Sequence, residues 1–246
     1  MAENTARASV PPPLISTPLP LQNLAAEYSS GSRADLYSAK ARHLEQRYAA
    51  IRRVCGDGNC FYRGFHVSWM ERLLHLPARA QAEAWSRLVP AASAQYADAL
   101  PEGPLRAELT SLGEGFAART RALCEAVGAA AGAAEAELLR AVSDEAAMEA
   151  SLRWLRLLAS AYMRTHRETF EPVCADGTRS FDAFLAAEVE TMGVEADEMQ
   201  VQALTAALQL RVRVEYLDAA PAPWSDRCGT HRFLVCAACG IPTGAG

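Results

Sequence analysis

The sequence reads as an α+β fold, a helical body followed by a small sheet, and three observations carry that reading. Between Arg33 and Leu208 apolar side chains recur at spacings of three and four, the repeat of a buried helix face. From Leu210 the repeat becomes two: Leu210, Val212, Val214 and Tyr216 alternate with Arg211, Arg213 and Glu215, as in a half-exposed strand. Half of the 246 residues are apolar, enough to bury one sizeable core without covalent staples.

The elements follow in order. Residues 1–24 carry Pro11, Pro12, Pro13, Pro18 and Pro20 and few large apolar groups, so a disordered, solvated arm is expected there. One domain is expected over residues 25–246, with a divergent tail from about residue 219. Tyr37, Ala41, Leu44, Tyr48 and Ile51 line one face of a first helix. After Cys60, Phe61, Phe65, Trp69 and Leu73 form one row and Val67, Met70 and Leu74 another. A helix apolar nearly all round belongs in the interior, and Trp69 on such a row is core. Pro77 ends it. Several helices follow, with breaks near Pro90, near Pro101 to Pro104 and in VGAAAGAA; Ser151 to His166 is the clearest. Ser180 to Met192 and Asp197 to Leu208 are two shorter ones. The strand from Leu210 has a partner in the run Phe233 to Ala238, across a loop with Pro221 and Pro223.

Charge and composition narrow the function. The 24 basic and 29 acidic residues leave a net charge of -5; without a dense Lys/Arg stripe, nucleic acid is not the expected partner. The first residues lack a signal-peptide core, and no stretch reaches the roughly 18 uncharged apolar residues of a membrane span. Seven scattered cysteines suit free thiols in a reducing compartment, so the cytoplasm is expected, with the nucleus as the alternative. No cofactor is implied.

The turn before the buried helix carries the chemistry. Gly56, Asp57, Gly58 and Asn59 stand directly before Cys60. A thiol of ordinary pKa near 8.5 is only a few per cent thiolate at neutral pH. Free N–H groups and the dipole at a helix start stabilise the anion, so Cys60 is expected to be the acidic thiol of the seven. Gly56 and Gly58 can adopt positive φ and let a carbonyl approach, so N–H groups of the turn, at Gly58 and Asn59, would receive an oxyanion. The bland alternative is a buried cysteine after an ordinary turn. His43, His66, His75 and His166 fall on expected helices and read as packed or surface residues.

The string GDGNCFYRGF resembles the nucleophile motif of the OTU cysteine deubiquitinases, DGNC followed by an aromatic pair and Arg. YSAKARHLEQRYAAIRRV before it, and LRLLASAYMRTHRETFEPV and FLAAEVETMGVEADEMQVQALTAALQLRVRVEYLD after it, are similar to otubain segments in the same order. The resemblance runs from about Leu24 to Asp218. It implies a papain-like fold, a helical region on a small sheet, and cleavage of isopeptide bonds after the ubiquitin C-terminus. By position, Cys60 would be the nucleophile and Asp57 the acidic active-site residue that shapes the oxyanion loop. Ubiquitin or polyubiquitin chains would be the partners, with a ubiquitin-conjugating enzyme as a further one. The same resemblance admits a pseudoenzyme that binds these partners without efficient turnover.

A thiol protease of this kind needs a histidine to hold the thiolate and protonate the leaving amine. In otubains it lies in a late motif resembling GHYD, and this sequence has none. After Asp218 it reads AAPAPWSDRCGTHRFLVCAACGIPTGAG, and the family's histidine would fall at or past Gly246. His231, preceded by Gly229 and Thr230, is the candidate stand-in. Alternatively it matches a non-catalytic histidine that otubains carry before the last hairpin. A third reading groups Cys228, His231, Cys236 and Cys239 as a tetrahedral zinc site.

Overall fold

A computed structural model describes residues 13–30, 32–83, 88–129, 134–174, 179–217 and 233–236. Its elements are β1 (Leu19–Pro20), α1 (Gln22–Glu27), α2 (Ala34–Glu45), β2 (Ala50–Ile51), α3 (Cys60–Leu74), α4 (Ala78–Glu83), α5 (Val89–Tyr96), α6 (Pro104–Ala129), α7 (Ala134–Val142), α8 (Glu145–Thr165), α9 (Arg167–Cys174), α10 (Phe181–Phe184), α11 (Glu198–Ala207), β3 (Arg213–Tyr216) and β4 (Phe233–Cys236). A π-turn over Leu185–Val189 continues α10.

The breaks fall where the local chemistry puts them. Pro90 sits in the first turn of α5 and Pro104 opens α6, positions where the missing N–H has no helical partner to lose. Asp144 caps α8 by accepting from Ala147 N at 3.0 Å, and Asp197 with Gln200 forms a capping box at α11, each satisfying orphan amides of a first turn. α8 thus starts six residues before Ser151, because the capping aspartate lies upstream of the apolar stripe.

α8 is the axis of the larger core. Trp154, Leu155, Leu157 and Leu158 are fully buried, and α3, α5, α6 and α11 pack around it. Phe116 of α6 packs against both indoles, with centroids 5.3 Å from Trp69 and 4.6 Å from Trp154. Trp69 is core, as its row predicts. Trp154 Nε1 donates to Ser93 Oγ at 3.0 Å, so the polar edge of the indole is satisfied where it is buried.

A smaller cluster joins Leu21, Leu24, Ala41 and Leu44 to Leu217. Here the sequence reading needs three corrections. The stretch from Ile15 to Leu24 packs instead of extending into solvent: Ile15, Leu21 and Leu24 are buried, and Leu19–Pro20 pairs antiparallel with Ala50–Ile51. Few apolar residues suffice when each finds a pocket. The first helix stops at Glu45, and Ile51 lies in β2; pairing with β1 overrides the helical spacing. Glu215 does not face outward but is buried, accepting from Tyr48 Oη at 2.9 Å and meeting Arg47 at 3.5 Å. The strand pair itself is as read, antiparallel, with Val214 opposite Val235 and Tyr216 opposite Phe233.

A buried neutral imidazole gives the molecule an acid limit. Burial pushes the His66 pKa down to about 3 from 6.5, and Arg119 adds to the shift. The unfolded chain gains this proton near pH 6.5 and the folded chain only near 3. Stability from a neutral His66 is therefore complete above about pH 6.5 and lost as pH falls towards 3. Asp57, whose carboxyl is held below its ordinary 3.8, adds a further loss only below that value. Urea midpoints should fall between pH 7 and pH 4.5, and His66→Gln should shrink that fall; an unchanged difference would refute the assignment.

Candidate active site

The nucleophile turn is built from inside outward. Asp57 turns its carboxylate to Arg63 of α3, with Nη1–Oδ1 at 2.8 Å and Nη2–Oδ2 at 2.6 Å. It also accepts from the Asn59 amide at 3.0 Å. The Arg63 hydrogen bonds hold its pKa down against the opposing effect of burial. Arg63 in turn donates to the Cys55 carbonyl at 3.3 Å. A two-pronged guanidinium–carboxylate pair fixes both position and angle, so Asp57 ties the turn to α3.

Gly58 has φ of 79°, the left-handed region that favours glycine. The space beside it is taken: a Cβ would overlap the carbonyl of Gly193. That replaces the expectation that the glycine leaves room for a substrate carbonyl, since backbone from the 190s fills it. Asn59 Oδ1 accepts from Gly193 N at 2.9 Å and from Arg156 Nη2 at 2.8 Å. With its own amide given to Asp57, Asn59 holds loops together and does not offer that N–H to an oxyanion.

Cys60 opens α3 and is half-buried. Contrary to the expected acidic thiol, burial pushes it up, and the carboxylates of Glu195 and Asp57 act in the same direction. The N–H groups of Phe61 and Cys60 at the helix start pull it back only in part. Burial also raises Cys124, to about 11, and Cys174. The helix start alone does not win against desolvation and two carboxylates; a cation near the sulfur is needed.

Among the described histidines, His66 lies edge-on to Phe116 in the core, His75 contacts the Glu71 carbonyl at the far end of α3, and His166 packs on Tyr162. α3 has 15 residues, so at about 1.5 Å per residue His75 stands roughly 22 Å from Cys60. His43 lies on α2. His231 lies outside the described residues, as do Cys228 and Cys239 of the zinc reading.

The cation missed in the sequence is Arg156. It is fully buried on α8. Its Nη2 donates to Gly58 O at 3.1 Å, Asn59 Oδ1 at 2.8 Å and Val194 O at 2.5 Å, its Nη1 to Val189 O at 3.1 Å, and it lies 4.4 Å over the Tyr62 ring. It belongs to a stripe, Arg153, Arg156, Ser160 and Arg164, whose members bond residues 182–194. The spacing was visible, but opposite a leucine stripe it reads as a solvated face.

Among the described residues a cleft of about 860 Å³ runs from Gly56 and Cys60 along Ile15, Tyr48 and Leu217, with Glu195 on its wall. A half-buried thiol at a helix start, facing such a cleft on an α+β scaffold, is the arrangement of papain-like thiol peptidases.

The family model for Peptidase C65, otubain, matches residues 8–235, and the chain belongs to that family. Ubiquitin thioesterase OTUB1 of Homo sapiens is 32% identical over 206 residues, covering 84% of this chain and 71% of the relative. The ovarian tumor domain-containing deubiquitinating enzyme 1 of Arabidopsis thaliana is 30% identical over 215 residues, and the chain spans 65% of its length. A solved complex of h/ceOTUB1 with ubiquitin aldehyde and UBCH5B~Ub superposes with a TM-score of 0.71 at 28% identity, covering 86% of this chain and 78% of that one.

Proposed function

We propose that this chain is a deubiquitinating thiol peptidase that cleaves the isopeptide bond after the ubiquitin C-terminus. The observation that carries the reading is the placement of Cys60, at the first turn of buried α3 and at the end of the cleft, in a chain of the otubain family. The Cys60 sulfur adds to the C-terminal carbonyl; the C–N bond breaks as the lysine amine takes a proton; water then hydrolyses the thioester, freeing the ubiquitin carboxylate and the thiol. Asp57 and Arg63 hold the turn, and His231 is the residue we assign to the proton transfers. The OTUB1 complexes contain a ubiquitin-conjugating enzyme's ubiquitin conjugate, which supports such an enzyme as a second partner here. Four described cysteines are free thiols, in keeping with action in the cytoplasm or nucleus.

The test is hydrolysis of di-ubiquitin, and capture by ubiquitin bearing a C-terminal vinyl ester, for the chain as given and for His231→Ala. Turnover that falls about 10²- to 10⁴-fold in the variant supports the assignment. Capture at Cys60 with no turnover by either protein points instead to a ubiquitin-binding pseudoenzyme, and no capture at all refutes the reading.

A further inference from the structure

We propose that Arg156 is the positioning residue of this active site: one buried guanidinium ties the nucleophile turn to residues 189–194 and so sets where the Cys60 thiol stands. The inference rests on the reading of Cys60 as nucleophile.

The geometry is specific. Two loops far apart in sequence meet at Gly58 and Gly193, so closely that a Cβ on Gly58 would overlap the Gly193 carbonyl. Neither loop has regular secondary structure there to hold it, and their carbonyls at Gly58, Val189 and Val194 all turn inward to the same cation. The Asn59 side chain bridges the two, accepting from Arg156 on one side and from Gly193 on the other. Cys60 follows Asn59 and Glu195 follows Val194, so the clamp holds the backbone directly beside the thiol on both loops. A buried guanidinium with no carboxylate in contact is costly to keep. Here its charge is met by carbonyl oxygens and the Tyr62 ring, and Asp57 and Cys60 lie close enough to favour it. The Arg156 guanidinium thereby stands within electrostatic reach of the Cys60 thiol.

A lysine would keep the charge, but its single nitrogen cannot serve Val189 on one side and Gly58, Asn59 and Val194 on the other as the planar fork does. The charge and the clamp are therefore separable. At the Cys60 thiol, burial and the carboxylates of Glu195 and Asp57 push upward and the N–H groups of Phe61 and Cys60 pull downward, and the Arg156 guanidinium lies within electrostatic reach of it.

The experiment reads alkylation of Cys60 by iodoacetamide against pH, followed at that cysteine by mass spectrometry, with ubiquitin vinyl ester capture in parallel. Arg156→Met should shift the alkylation midpoint upward and slow the reaction at pH 7 by about tenfold, one pKa unit. Arg156→Lys should keep the midpoint near that of the unaltered chain yet lower the maximal capture rate by about tenfold or more, with the ubiquitin concentration for half-maximal rate unchanged. Asn59→Ala, which removes a bridge and leaves Arg156 in place, should slow capture, and adding it to Arg156→Met should cause little further loss. If Arg156→Met does not fold, Arg156→Lys and Asn59→Ala carry the test. Folded variants that alkylate and react as the unaltered chain does would overturn the proposal. Failure of the unaltered chain to react with the ubiquitin probe, with the alkylation shift still present, would sink the deubiquitinase reading and leave the positioning of the thiol intact.

Discussion

Cys60→Ala is expected to abolish hydrolysis of ubiquitin conjugates while changing stability by less than about 1 kcal/mol. Cys60 is half-buried at the cleft, and the substitution removes one sulfur atom without creating an enclosed cavity. The N–H groups that reach its sulfur belong to its own helix turn, and the links between loops come from Asp57, Arg63, Asn59 and Arg156. Deleting a nucleophile removes the whole covalent route, a loss on the order of 10⁴-fold or more. The measurements are turnover of a fluorogenic ubiquitin substrate and thermal unfolding of the same preparations. Activity that survives in Cys60→Ala would end the thiol-peptidase reading.

The second large effect falls on stability. Gly58→Ala is expected to cost about 2 kcal/mol or more, because a left-handed residue gains a Cβ, at about 1–2 kcal/mol, and that Cβ meets the Gly193 backbone, which does not yield like the end of a flexible side chain. Gly193 supplies the control. It has the same φ of 79°, but a Cβ there would lie 3.7 Å from Asp57 O, an ordinary contact. Gly193→Ala should therefore show the backbone strain alone, and the difference in urea midpoints between the two variants isolates the overlap. Equal losses would show that the loops are not in the close contact described here. Gly58→Asn, which tolerates the left-handed region, should fail to rescue for the same reason.

Much of this site is legible in the sequence because its parts are local. A turn, a cysteine and an apolar helix lie within one short segment, so spacing alone places Cys60 at a helix start. The alternation from Leu210 likewise finds β3 and its partner strand. What escapes is whatever depends on a distant chain segment. Arg156 lies 97 residues from the Asn59 side chain it holds, and an arginine on a leucine-striped helix carries no mark of which loop will cover it. Glu215 looks like the exposed member of an alternating strand until Tyr48 arrives from 167 residues away. The acidity of Cys60 escapes for the same reason: the helix start is local, whereas Glu195 and the burial of the sulfur come from the assembled fold.

The small core of Leu21, Leu24, Ala41, Leu44 and Leu217 has a consequence for how the protein comes into being. It closes one wall of the cleft with residues from opposite stretches of the chain, while the large core around α8 draws on residues up to Leu210. A ribosome delivers these in order, so α3 can begin to pack on α6 and α8 before the residues of the small core are all present. Long-range closure of this sort is also the slow step in assembly. A nascent chain would thus hold Cys60 beside a cleft that still lacks the Leu217 wall. The order of synthesis therefore sets the order of assembly: the thiol comes first, and the wall of its cleft comes last.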